Sequence, residues 1–87
     1  MLPRERFDAT FEFEHVDRPP IMYQHFGANR SVLPALGMTI RDGFHDPESF
    51  ARICIMAQRI TGFDNVMAGW GDILVEAHAH GTRWKWP

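Results

Sequence analysis

The apolar positions change their spacing several times along the chain, and each change marks a different element. From Arg4 to Phe13, Phe7 and Phe11 recur at i and i+4 among charged residues, with Pro3 where a first helical turn tolerates proline. The pattern predicts a short amphipathic helix. Val16-Asp17-Arg18-Pro19-Pro20 interrupts it, because neither proline donates an N–H and each pushes the residue before it toward extended backbone. Ile21-Met22-Tyr23-Gln24-His25-Phe26 follows as a short, mostly apolar run ending at Gly27, which predicts a first buried strand. Between Ala28 and His45, Val32, Leu33, Leu36, Met38 and Ile40 are broken up by Pro34, Gly37 and Gly43. Short helical turns are expected there rather than one long element.

The clearest element begins at Asp46-Pro47-Glu48-Ser49, with an N-cap aspartate, a proline at the first helical position and an acid in the first turn. Phe50, Ile53, Cys54, Ala57 and Ile60 form an apolar stripe, Glu48 and Arg52 pair on another face, and Gly62 ends the helix. A second strand is expected over residues 65–68. Gly69-Trp70-Gly71-Asp72 then turns the chain into a helix that runs to His80 and is closed by Gly81. Thr82-Arg83-Trp84-Lys85-Trp86 alternates as a third strand would. The order predicts an α/β fold: a leading short helix, then a βαβαβ unit with parallel strands and right-handed crossovers. Too few helices are present to cover both faces of such a sheet. Residues 1–87 are therefore expected to form a single incomplete domain with open strand edges, covered by a continuation of the chain, a homodimer mate or another edge-covering partner.

Composition removes several function classes. With 45% hydrophobic and 23% charged residues the chain is of ordinary soluble, globular type, and a formal charge of −2 provides no basic field for nucleic acid. Cys54 is the only cysteine, which rules out an internal disulfide, and its place in the apolar stripe predicts a buried, inert thiol. The opening Met1-Leu2-Pro3-Arg4-Glu5-Arg6 lacks the apolar core of a signal peptide, and no stretch approaches the roughly 18 apolar residues of a membrane span. A cytoplasmic protein with no membrane partner is expected.

Candidate chemistry concentrates where predicted strands end. Asp72 stands at a strand-to-helix junction, where a carboxylate either caps the helix or is held out at the carboxyl end of the strand as a site residue. His25 ends the first strand, with Tyr23 before it and Arg30 shortly after, and Trp70 precedes Asp72. A metal site is not expected: His78 and His80 point apart on a helix, and Glu76 with His80 supplies only two ligands. Trp70, Trp84 and Trp86 suit either a pocket lining or the core, the commoner place for such rings, and Met38, Met56 and Met67 suit packing.

Five segments stand in one order and spacing: Pro3-Arg4-Glu5-Arg6-Phe7, Val16-Asp17-Arg18-Pro19-Pro20, Leu36-Gly37-Met38-Thr39-Ile40-Arg41, Asp46-Pro47-Glu48 and Gly71-Asp72-Ile73-Leu74-Val75-Glu76-Ala77. Together they resemble the uroporphyrinogen decarboxylase family over essentially the whole chain. The resemblance implies the amino-terminal part of a (β/α)8 TIM barrel, a fold of about 250 residues. It implies for Asp72 the role of the family's central carboxylate, which accepts hydrogen bonds from pyrrole N–H groups and stabilises the charge of a protonated ring before carbon dioxide leaves. That chemistry requires no cofactor. Where the family's decarboxylases carry a Met-Arg-Gln-Ala-Gly-Arg stretch that binds substrate carboxylates, this chain has Met22-Tyr23-Gln24-His25-Phe26-Gly27, and Arg30 is the guanidinium that remains nearby. The family also includes methylcobamide:coenzyme M methyltransferases. The resemblance thus implies a fragment of a carbon–carbon lyase acting on a tetrapyrrole or other small molecule, expected to be inactive alone, with His25, Tyr23, Arg30 and Trp70 binding substrate around a catalytic Asp72; the alternatives are a cobamide-dependent methyltransferase-like member and a non-catalytic βα module stabilised by a partner chain.

Overall fold

The computed structural model describes residues 1–23, 28–67 and 73–86. Its longest element, α4 (Pro47–Thr61), starts and stops where the sequence predicts. The Asp46 carboxylate accepts from the Ser49 backbone N–H at 3.1 Å and from the Ser49 hydroxyl at 2.7 Å. Pro47 fills the first position, where the missing N–H is of no consequence. Beyond the last turn Gly62 takes φ +69°, a conformation that strains any residue with a Cβ, and the helix ends there. Ile53, Cys54 and Ala57 of the predicted stripe are buried, whereas Ile60 is 47% exposed. Glu48 and Arg52 pair at 3.0 Å on the solvent face.

Two short helices replace the mixed segment before it. In α2 (Val32–Leu36), Asn29 Oδ1 accepts from the backbone N–H groups of Ser31 at 2.8 Å and Val32 at 3.1 Å, and Gly37 closes the turn at φ +62°. α3 (Ile40–His45) opens with a reciprocal cap, Thr39 N–H to Asp42 Oδ2 at 2.8 Å and Asp42 N–H to Thr39 Oγ1 at 3.3 Å. Asp46 ends α3 and caps α4, so one residue sets the angle between them. Both short helices pack on α4. The core they share is Val32, Ile53 and Ala57, ringed by Ala28, Leu33, Leu36, Met38 and Met56. Full burial of a Val or Ile side chain contributes about 1.5–3 kcal/mol, so Val32 and Ile53 dominate this half.

The leading helix α1 (Pro3–Phe11) stops two residues short of the predicted end. Glu14 N–H returns to the Ala9 carbonyl at 2.8 Å and Phe13 N–H to the Thr10 carbonyl at 3.3 Å, a Schellman closure that puts Phe13 at φ +59°. Arg6 and Ala9 are the residues it buries. At the far end α5 (Ile73–Ala79) is closed as predicted, with Gly81 at φ +93° and Thr82 N–H on the Ala77 carbonyl at 3.1 Å.

The expected βαβαβ unit with parallel strands is not formed. Among the described residues there is no strand. Residues 21–23 and 64–65 do lie side by side and run in the same direction, but a single backbone bond joins them, Asp64 N–H to the Ile21 carbonyl at 2.9 Å. The other links come from the Asp64 and Asn65 side chains, which occupy the N–H groups a ladder would use. Pro19 and Pro20 remove two more donors just upstream. The third predicted strand forms no ladder among the described residues: Trp84 and Trp86 pack on Phe44 at ring-centroid distances of 5.8 Å, and on His45 at 5.7 and 5.6 Å. No helix among the described residues is long and apolar enough to cross a membrane.

Candidate functional site

Asp64 begins the segment after α4, in a run that otherwise reads as apolar, and its side chain is only 1% exposed. A buried carboxylate is costly unless every lone pair is used. Here Arg6 Nη1 donates to Oδ1 at 2.5 Å, Arg18 donates through Nη1 at 2.7 Å and Nη2 at 3.0 Å, and the Ile21 backbone N–H donates at 2.8 Å. Arg6 turns the rest of its fork to Asp17, with Nε to Oδ1 at 2.7 Å and Nη2 to Oδ2 at 2.8 Å. Its Nη2 also reaches the Met1 carbonyl at 3.0 Å. Among the described residues no buried side-chain polar atom lacks a partner. The result is a charged clasp joining α1, the turn around Asp17 and the segment after α4.

Electrostatics follow the geometry. The Arg18 hydrogen bonds, then the Ile21 N–H and the positive charges of Arg18 and Arg6, hold the Asp64 carboxyl down at about 2. Asp17 is held well below the usual carboxylate range by its hydrogen bonds from Arg6, and Arg6 is raised in turn. A carboxylate enclosed by two guanidiniums has no lone pair to offer a substrate proton. The clasp therefore positions chain segments and does not carry out proton transfer.

Asn65 continues the attachment one residue on. Its Oδ1 accepts from the Tyr23 N–H at 2.7 Å and its Nδ2 donates to the Tyr23 carbonyl at 2.9 Å, an amide that reproduces both bonds of a strand neighbour. The Tyr23 ring lies on Phe63 with centroids 5.5 Å apart. It shares a crevice with Cys54, Gln58, Thr61 and Met67 that has no room for water. Burial pushes the Cys54 thiol up, in keeping with an inert packing role.

The sequence-predicted site residues divide unevenly. Tyr23 is half-buried in the packing just described, and Arg30 is exposed in the turn before α2. His25, Trp70 and Asp72 lie outside the described residues. No group of three or more His, Cys, Asp or Glu able to hold a metal exists among the described residues. Glu76 and His80 are exposed, and the His78 ring packs on Trp84 at 4.8 Å with Nδ1 3.2 Å from the Thr82 carbonyl oxygen. The residues that sequence reasoning missed as a group are Arg6, Asp17, Arg18, Asp64 and Asn65. A signal was present: a carboxylate and an amide opening an otherwise apolar run, and two arginine-bearing motifs upstream.

Three members of that clasp, Arg6, Asp17 and Arg18, come from the two amino-terminal segments that carry the resemblance. Over residues 2–87 the sequence matches the family model of uroporphyrinogen decarboxylase (URO-D). The chain belongs to the uroporphyrinogen decarboxylase family. No curated protein and no solved structure matches it. In this URO-D-family chain the clasp fixes the start of both stretches that run on to candidate residues: His25 comes two positions after Tyr23, and Asp72 seven after Asn65.

Proposed function

We propose that this chain supplies the amino-terminal part of a small-molecule site in a URO-D-family carbon–carbon lyase, with Asp72 as its central carboxylate. Asp72 accepts hydrogen bonds from substrate N–H groups and stabilises the positive charge that develops when a ring is protonated before decarboxylation. His25 and Trp70 flank the substrate, Arg30 offers a guanidinium to a substrate carboxylate, and Tyr23 holds the first segment in place. One observation carries the reading: Asp64 and Asn65 tie residues 21–23 to the segment leading to Asp72 through a fully hydrogen-bonded base. A site built on such a base has little positional freedom, which the chemistry requires.

A second reading rests on Met22-Tyr23-Gln24-His25-Phe26-Gly27, which stands in place of an arginine-bearing stretch and lowers the capacity for a polycarboxylate substrate. It makes the chain part of a cobamide-dependent methyltransferase-like member. The test is turnover by the protein as its gene encodes it. Asp72→Asn is expected to lower carbon dioxide release from a uroporphyrinogen on the order of 100-fold or more. Unchanged release in that variant would sink the role of Asp72. Methyl transfer from a methylcobamide to a thiol, without carbon dioxide release, would replace the lyase reading with the second one.

A further inference from the structure

Phe13 combines two features that a folded chain normally avoids. Its φ of +59° lies in the left-handed region, where a Schellman closure ordinarily places glycine. Its side chain is nevertheless 97% exposed, so the strain is not offset by packing within the chain. Phe11, two residues earlier, is 77% exposed. Glu12 and Glu14 alternate with them and are also exposed. The end of α1 is thus an apolar hook set between carboxylates.

A groove of opposite character runs along α4. Leu36, Ile55 and Met56 give it an apolar floor, Arg52 and Arg59 line it with positive charge, and it opens about 330 Å³. That volume is at the small end of ligand pockets, which run from about 300 to 1,000 Å³, and it suits aromatic rings. Among the described residues no carboxylate lines it. Ile55 is 43% exposed there, and Arg52 keeps Glu48 of its own helix at 3.0 Å.

We propose that the Phe11 and Phe13 hook of one copy seats in the Leu36, Ile55 and Met56 groove of a second copy, with Glu12 and Glu14 facing Arg52 and Arg59. Apolar surface meets apolar surface, and acid meets base around it. Hook and groove are different patches, so the contact is heterologous and continues from copy to copy unless the geometry closes it. It explains why a phenylalanine occupies a position that glycine would fill without strain. The proposal concerns self-association and does not depend on the lyase reading.

Sedimentation velocity over a concentration series, at low and high salt, tests it on the chain itself. Self-association is expected, weaker at high salt. Phe13→Gly should weaken it at least tenfold while raising the melting temperature, since glycine relieves the left-handed strain and no packing is lost. Arg59→Glu should weaken it similarly, and Glu14→Arg combined with Arg59→Glu should restore it. A wild-type chain that stays monomeric throughout, or association that survives Phe13→Gly or Arg59→Glu, would overturn the proposal. Failure of the charge-reversed pair to recover would overturn the proposed facing of Glu12 and Glu14 on Arg52 and Arg59.

Discussion

The half of the molecule built from α2, α3 and α4 is held by apolar contact, and the half built from α1 and residues 17–23 is held by charge. In the first, Val32 and Ile53 are fully buried and local caps determine where each helix ends. In the second, α1 buries an arginine and an alanine, and its attachment passes through Arg6, Asp17, Arg18 and Asp64. Apolar contact is non-directional and tolerates small shifts, whereas a forked guanidinium fixes distance and angle together. A segment that must arrive at one register beside residues 64–65 is better served by the second kind of bond. The clasp sits where register matters, and the apolar core where bulk stability does.

The comparison can be broken most sharply at Asp64. Asp64→Asn removes the charge that two guanidiniums share, leaving Arg6 buried without one of its counter-ions. We expect the cooperative thermal transition to be lost, and a variant that melts as the wild type does would show that the clasp is dispensable. Next in size is Ile53→Ala, which opens a cavity under α2 and should cost about 2–5 kcal/mol by urea denaturation. Because Ile53 belongs to the apolar half, its loss should leave the acid response described next unchanged. A shifted acid response in Ile53→Ala would mean that the two halves are one cooperative network.

The smallest and most gradual effect is that of acid itself. The Asp64 carboxyl is held at about 2 in the fold against an ordinary 3.8, so the unfolded chain takes up a proton first as pH falls. Its stabilising contribution is complete above that ordinary value and is lost as pH drops through the folded one, with Asp17 acting in the same direction. Melting temperature measured from pH 5 downward should fall across this window. A flat profile there would remove the clasp as the source of acid sensitivity.

Much of the helical half was legible in the sequence because its signals are local. Asp46, Pro47 and Gly62 bracket α4 by chemistry that acts within a few residues, and Glu48 finds Arg52 one turn away. Gly81 closes α5 for the same reason. The strand predictions failed because a strand is completed only by its neighbour. Residues 21–23 have the right composition, yet their N–H groups are taken by side chains of residues more than 40 positions away. Trp84 and Trp86 alternate as strand residues do, yet among the described residues their rings pack on Phe44 and His45. As for the candidate site, the sequence named Asp72 and its companions through family resemblance, and the described structure adds the base from which they are reached.

By itself, then, the sequence determined the capped helices, the apolar stripe of α4, the buried Cys54 and membership of the URO-D family, all of which rest on residues close together or on motif order. Tertiary structure alone decided that Arg6 would meet Asp64 across 58 positions, that Asn65 would stand in for a strand beside Tyr23, and that Phe13 would be left strained in water. The physical reason is the range of the interactions. Caps and stripes are satisfied within one or two turns, whereas a buried ion pair gains its stability only after the chain has closed the long loop that brings its partners together.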